Sequence, residues 1–505
     1  MRSIILPSLL SAMSMVAVAK ETSVKEDISF FGCAPLGAYY PPPTIDKSSK
    51  PFRKLVSSFT KMFDDLIQNG GSEKYGPVHV NTTSFSVIIF GGDEKLRQDP
   101  IFFEYHYTSL EDQISNENIT LATRFPVGDV SMVFTVYAWL AKMGEQWETP
   151  ITKYLPELAD VEVPFAPVWE DITIGALAGQ VSGLARESKA CTLGGPCNWE
   201  SFKENFSTRS PYFLPDTTPV VSYAAWQLLV FAMEREGSGN WSSIVEETLL
   251  GPLNLTSSGV LSHDSHSMLA SDLLPPAVTR RWLKSHADTS NLRNGVGRPW
   301  EVYRAGDSIR PIVDALTKAG TVGKYASYFG LTTDFNAGFA ILAHDSSVED
   351  RKLDLNVHAD IVSEVLGYLL QIAAAETGAR YAGKFEGKDS HAAFNTTDDG
   401  HGVAVQTLVI NGVDIKNRIA QKLGIKAKDL DIRIYPTNVE DESQQQFVAV
   451  FQDSSALIDM GTPTCITWQE IGADVEIYVR FNLDKEGNAV AFEIPQLDVK
   501  MDRTN

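Results

Sequence analysis

The sequence predicts an α+β protein: an antiparallel sheet flanked by helices with a helical insert, followed by a smaller all-β domain. Three observations predict it. TSFSVIIF (83–90) and Phe102–Tyr107 read as partner strands, and Tyr325–Thr332 and Gly338–His344 read as two more, joined by the hairpin loop TDFNA. After Gly128-Asp129, the run VSMVFTVYAWLAKMG is apolar on most of its turns, which predicts a central buried helix. Beyond about residue 380 short alternating runs recur (VAVQTLVI, QFVAVFQD, EIYVRFN, AVAFEI), separated by Gly, Asn and Asp turns, as in a separate all-β module.

The elements follow in order. Residues 1–19 read as a secretory signal peptide: Arg2 supplies the positive start, Ser3 to Val16 are apolar or small, and Ala17-Val18-Ala19 is an A-x-A cleavage site. Residues 20–50 are Pro- and Ser-rich (Pro41-Pro42-Pro43, Ser48-Ser49) and read as an extended lead-in. The main domain is expected over 51–376 and the all-β domain over 380–505. The main domain opens with a helix from Arg53 to Gln68, apolar at Leu55, Phe59, Met62, Phe63 and Leu66, and ends with one from Asp354 to Ala375. Between them, 145–310 is a mixed, loop-rich stretch.

Composition narrows the function classes. At 43% hydrophobic, 10% aromatic and 21% charged, the 505-residue chain is a folded globule. Its charge of 43 − 64 = −21 repels phosphate backbones and argues against nucleic acid as a partner. No stretch after the N-terminus is apolar for 18 residues, so no membrane span is expected once the signal is removed. Six N-x-S/T sequons (Asn81, Asn118, Asn205, Asn240, Asn254, Asn395) and four cysteines (Cys33, Cys191, Cys197, Cys465) fit a secreted or secretory-lumen protein with glycans and disulfides. Cys191 and Cys197 bracket a glycine-rich loop that can close on itself, leaving Cys33 and Cys465 as a long-range clasp; three connectivities stay open.

Several segments together resemble the serine beta-lactamase and penicillin-binding-protein superfamily, in its class C-like, secreted fungal branch with a C-terminal β-module. They are RFPVGDVSMVFTVYAWL, PITKYLPEL, ITIGALAGQVSGL, TTPVVSYAAWQLL, GPLNLTSSG and TKAGTVGKYASYFGL, and the resemblance covers most of residues 80–345. It implies the acyl-transfer chemistry of that superfamily. A serine at the start of a buried helix attacks a carbonyl, and a lysine one turn on takes its proton. A Tyr-x-Asn loop adds a second acid/base group, and a Lys-Thr-Gly strand binds the substrate carboxylate.

The sequence departs from this pattern where the reaction needs it. In GDVSM, Asp129 stands at the serine and Met132 at the lysine. Methionine is no base, and an acylated aspartate would be an unstable anhydride. Ser131 lies two positions on, about 200° around the helix, away from the nucleophile direction. Val221-Ser222-Tyr223 replaces Tyr-x-Asn, and Gly179-Gln180 replaces a Ser-His dipeptide. Only the third motif survives, as Lys318-Ala319-Gly320.

Each candidate has two readings. Asp129 is a helix N-cap or a catalytic carboxylate, and the helix N-terminus is expected to lower its pKa. Met132 reads as core. Lys318 either pairs with Asp129 or holds an anionic ligand. Tyr223 is a packing aromatic or a displaced acid/base group. His263 and His266 have a possible metal spacing but lack a third ligand and read as surface, so no metal or other cofactor is expected; His286, His344 and His358 read as surface or core. Beside a conventional beta-lactamase or esterase, which would need a nucleophile not found in the sequence, two functions result. One is a pseudoenzyme that binds a small molecule or peptide in the inherited cleft. The other is a repurposed hydrolase, acyl-transfer or cyclisation enzyme of fungal specialised metabolism using Asp129, Tyr223 and Lys318.

Overall fold

The computed structural model describes residues 37–504 apart from 115–117, 189–190, 192–196, 238, 254–260, 306–312, 348–352, 398–401, 442 and 456–477. The signal peptide, Cys33, Cys465 and Asn254 lie outside the described residues, as does the His263 side chain.

Among the described residues the main sheet has eight antiparallel strands: β1 (Thr83–Gly91), β2 (Ile101–Tyr107), β3 (Ala287–Asp288), β4 (Asn294–Val296), β5 (Glu301–Ala305), β6 (Val313–Val322), β7 (Tyr325–Thr332) and β8 (Ala337–Asp345). Their order across the sheet is β2-β1-β8-β7-β6-β5-β4-β3. The expected hairpin is present, with Ala337 opposite Thr332. Both faces are covered, so β1 is buried along its whole length. Phe85, Val87 and Ile89 point to one face and pack under helices α1 (Lys50–Asn69) and α4 (Asn356–Tyr381). Burying each such side chain is worth roughly 1.5–3 kcal/mol. Helix α1 starts where the Ser49 hydroxyl accepts from the Phe52 N–H and stops at Gly70, whose φ of 64° suits a residue without Cβ.

The other face packs on the helical insert, centred on α2 (Ser131–Met143) and α3 (Tyr223–Gly237). As expected, α2 is a core helix, buried at Met132, Val133 and every residue from Thr135 to Leu140. The loop-rich middle also holds short helices, such as Ile174–Ala178, too brief to show a period in sequence. Helix α4 has the length and hydropathy of a membrane span, but it buries an apolar face against the sheet as a core helix does.

Among the described residues the C-terminal domain is a nine-stranded antiparallel sheet: β9 (Gly383–Gly387), β10 (Ser390–Thr396), β11 (Val403–Ile410), β12 (Val413–Asp414), β13 (Leu430–Glu440), β14 (Gln444–Asp453), β15 (Tyr478–Leu483), β16 (Ala489–Ile494) and β17 (Val499–Thr504). Pairing of β10 with β11 curls it into a barrel. The domain is not purely β, because a capped helix α5 (Ile415–Leu423) inserts Ile415 and Ile419 into its core. Phe385, Phe394, Phe447, Phe481 and Phe492 pack inside the barrel with their rings tilted or edge to face. Tyr381, the last residue of α4, joins them, its ring 5.0 Å from that of Phe481.

Candidate functional site

The chain enters α2 through a tight turn, Gly128–Val130, pressed against strand β6. Two glycines make the approach possible. Gly128 adopts φ +53°, and a Cβ there would meet the Thr321 backbone at 2.8–3.0 Å; a Cβ on Gly320 would lie 2.3 Å from the Val127 carbonyl oxygen. The Ser327 hydroxyl ties the turn down by donating to the Val127 carbonyl at 2.6 Å. This junction fixes Asp129 on the wall of a cleft of about 950 Å³. Tyr223, at the start of α3, lines the same cleft, with Ser131, Glu187, Arg209 and Gly323 around them.

Asp129 and Tyr223 are in contact. The Tyr223 hydroxyl donates to Asp129 Oδ2 at 3.0 Å, and Arg186 Nη2 donates to the same phenol oxygen at 3.1 Å. The Arg186 guanidinium lies 5.1 Å from the Tyr223 ring centroid. The sequence expectation for Asp129 is therefore corrected in two ways. The residues flanking the turn and α2 as caps are Val127 and Val130, with no side-chain cap bond; the Asp129 carboxylate is spent on Tyr223. Its pKa lies above, not below, the usual carboxylate value. Burial raises it and Glu301 adds to the rise, against the Tyr223 hydrogen bond and the Lys318 and Arg186 charges. Burial likewise raises the Tyr223 phenol, against the pull of Arg186.

Lys318 does not pair with Asp129. It is 1% exposed, and its ammonium donates to Glu301 Oε1 at 2.6 Å and to Gln180 Oε1 at 3.3 Å. Glu301 comes from the neighbouring strand β5, where it stands opposite Thr317, and its second oxygen accepts from the Ala319 N–H at 3.3 Å. Gln180 is held in turn by donating to the Pro299 carbonyl at 2.7 Å. The surviving motif lysine thus sits behind the cleft wall, neutralised by groups on its own sheet and on the 179–180 loop.

Met132 packs into the core, as expected. Ser131 is exposed on the cleft wall and not turned away from it; its hydroxyl donates back to the Gly128 carbonyl. Cys191 and Cys197 form a disulfide at the rim of the cleft. His266 is not a surface residue. It is buried, with Nδ1 2.9 Å from the Gly91 carbonyl. His358 is buried between Phe63 and Phe85, His344 is half-buried and His286 is exposed. Sequence reasoning missed Arg186 and Glu301. Neither belongs to a motif, and both are brought in by strand and loop register.

Residues 97–269 match the beta-lactamase family model, and residues 373–505 match a model described as the C-terminal domain of beta-lactamase-like proteins. The two matches agree with the architecture, a beta-lactamase-like fold followed by a C-terminal all-β domain. A beta-lactamase-like protein of Arthroderma benhamiae is 23% identical over 578 residues, an alignment spanning 92% of this chain and 95% of the relative. Among solved structures, the octameric penicillin-binding protein homologue from Pyrococcus abyssi is 13% identical and aligns over 88% of this chain and 99% of its own, with a TM-score of 0.45. A class C beta-lactamase is 12% identical over 63% of this chain and 98% of its own, with a TM-score of 0.47. The cleft thus presents a carboxylate and a phenol in contact, Asp129 and Tyr223, with the Arg186 guanidinium on the phenol oxygen.

Proposed function

We propose that this secreted beta-lactamase-like protein is a pseudoenzyme for acyl transfer that binds a small molecule or peptide in its cleft. One observation carries the reading: neither motif position presents a base to a nucleophile in the cleft. Met132 lies in the core at the base position, and Lys318 is buried against Glu301 and Gln180. Acyl transfer needs a nucleophile and a base within hydrogen-bond reach. A carboxylate fixed on a cleft wall is instead an acceptor, suited to an ammonium, amide N–H or hydroxyl of a ligand. The disulfide at the rim supports an oxidising compartment, and Asn81, Asn118, Asn205, Asn240 and Asn395 are all exposed, as glycan acceptors must be.

The test uses a fluorophosphonate serine probe and the chromogenic beta-lactam nitrocefin on wild type and on an Asp129→Ser/Met132→Lys variant. Wild type is expected to stay unlabelled and not to turn nitrocefin over. Labelling of wild type would overturn the reading.

A second reading is favoured by the raised Asp129 carboxyl beside an open cleft. There Asp129 and Tyr223 move a proton on a bound substrate without an acyl-enzyme, as a repurposed enzyme of fungal specialised metabolism. It predicts substrate turnover that Asp129→Asn abolishes while ligand binding persists.

A further inference from the structure

Beside the cleft the protein exposes a group of large apolar side chains: Val163, Phe165, Val168, Tyr212, Phe213 and Leu214. Phe165 is 84% exposed and Leu214 is 71% exposed. Single exposed apolar residues need no explanation, but two adjoining loops that present six of them do. The loops are joined, because the Ser210 hydroxyl donates to the Phe165 carbonyl at 2.9 Å. The Phe165 backbone is held at φ +65°, an unfavourable conformation for a bulky side chain.

The apolar lip is built on the same two chain segments as the cleft. Residues 209–223 run alongside 180–187: the Tyr212 N–H donates to the Gly183 carbonyl, Asp216 to Val181, Val220 to Gln180 and Tyr223 to Arg186, all at 2.7–2.8 Å. Gly183 permits this closeness, since a Cβ there would lie 2.1 Å from the Phe213 carbonyl oxygen. Arg209 and Tyr223, at the two ends of that stretch, both line the cleft. Arg209 also donates to the carbonyl of Glu187, which lines the cleft too. The lip is therefore tied to the cleft wall through Arg209 and Tyr223, which flank Tyr212–Leu214 in the chain.

Resting on the proposed binding function, we infer that the ligand is a single-chain amphiphile, with an amine- or hydroxyl-bearing head at Asp129 and an apolar tail laid over the Phe165–Leu214 lip. The head chemistry follows from charge. Asp129 is an acceptor on the cleft wall, whereas the nearby guanidinium of Arg186 is committed to Tyr223. A carboxylate head would face Asp129 and Glu187, and the guanidinium that lines the cleft, Arg209, is engaged on the Glu187 carbonyl. The tail chemistry follows from the lip, which offers aromatic and aliphatic surface with no charged side chain among its six members.

The experiment titrates the full-length mature protein with n-alkylamines of four to twelve carbons, below their micellar concentrations, and with dodecanoate. Wild type is expected to bind dodecylamine, with Kd tightening about twofold to fourfold per methylene until the lip is covered, and to bind dodecanoate at least tenfold more weakly. Phe165→Ser/Leu214→Ser changes exposed residues only; it should flatten the chain-length dependence and leave butylamine binding unchanged. Asp129→Asn should lose the preference for amine over carboxylate. Butylamine binding to wild type without chain-length dependence overturns the lip inference and leaves the cleft reading intact. No amine binding, or amine binding indifferent to Asp129→Asn, overturns the cleft reading itself. Lip-dependent sedimentation with phosphatidylcholine vesicles, or lip-dependent dimerisation without amine binding, overturns the amphiphile in favour of a membrane surface or a second copy.

Discussion

Removing Glu301 should destabilise the main domain more than removing the lysine it neutralises. Lys318 is almost wholly buried, and a Glu301→Ala variant leaves its ammonium donating to the Gln180 amide oxygen at 3.3 Å. Breaking a buried pair from one side costs about 3–5 kcal/mol, because a charge is left without compensation. The Glu301 side chain is itself 41% exposed, so water reaches the gap and the expected cost falls to about 2–3 kcal/mol. Lys318→Met keeps the volume and removes the buried charge, leaving Glu301 able to turn to solvent, and should cost no more than about 1 kcal/mol. The double variant should then resemble Lys318→Met alone, a non-additivity of roughly 2 kcal/mol. Urea unfolding followed by tryptophan fluorescence reads this domain, since eight of the nine tryptophans lie between residues 139 and 300. Equal costs for the two single variants would refute the argument. Loss of cleft binding in Lys318→Met would refute the placement of Lys318 outside the binding surface.

The remaining predictions concern the site's supports and two pH-sensitive groups. Gly320→Ala forces a Cβ against the Val127 carbonyl and the Asp129 N–H, so it should cost about 1–3 kcal/mol or more and weaken binding at Asp129, seen by thermal shift and titration. Burial raises the Asp334 carboxyl to about 6, with Asp314 adding to the rise; its stabilising contribution is present below pH 3.8 and lost as pH rises through about 6. Asp334→Asn should therefore gain stability relative to wild type above pH 6, and denaturant melts at pH 4 and pH 7 check this. Burial between phenylalanines lowers His358 to about 4, so its contribution is present above pH 6.5 and lost as pH falls through about 4. His358→Phe should resist acid unfolding in that window, followed by circular dichroism. Cys191→Ser/Cys197→Ser opens a short loop at the cleft rim and should cost about 2 kcal/mol while lowering cleft affinity, measured by the same titration.

Elements with strong local periodicity were legible in the sequence. TSFSVIIF became β1, the apolar run after Asp129 became α2, and VAVQTLVI became β11, each within a residue or two. The barrel's other strands were less so, because short edges such as β12 and the helix α5 interrupt the alternation. At the site, the departures at Asp129 and Met132 were legible only against the motif that the family resemblance implies. The electrostatics could not. A helix N-terminus argued for an acidified Asp129, but the cleft buries that carboxyl beneath Tyr223, and desolvation outweighs the nearby positive charges. The fate of Lys318 depended on Glu301, 17 positions away in sequence and adjacent only once β5 and β6 pair.

The long helix α4 begins under the main sheet and ends inside the barrel, where the Tyr381 hydroxyl donates to Gln445. Arg503, in the last strand, donates to the carbonyls of Arg380 and Ala382 and so fastens the end of the barrel to the end of that helix. The two halves are therefore not beads on a string. A cut anywhere between residues 376 and 380 severs a shared axle, removing from the barrel the side chain that plugs its core. Exchange of the C-terminal half between relatives would have to carry the final turn of α4 with it, and a torque or displacement at one half reaches the other through a single continuous rod of backbone hydrogen bonds.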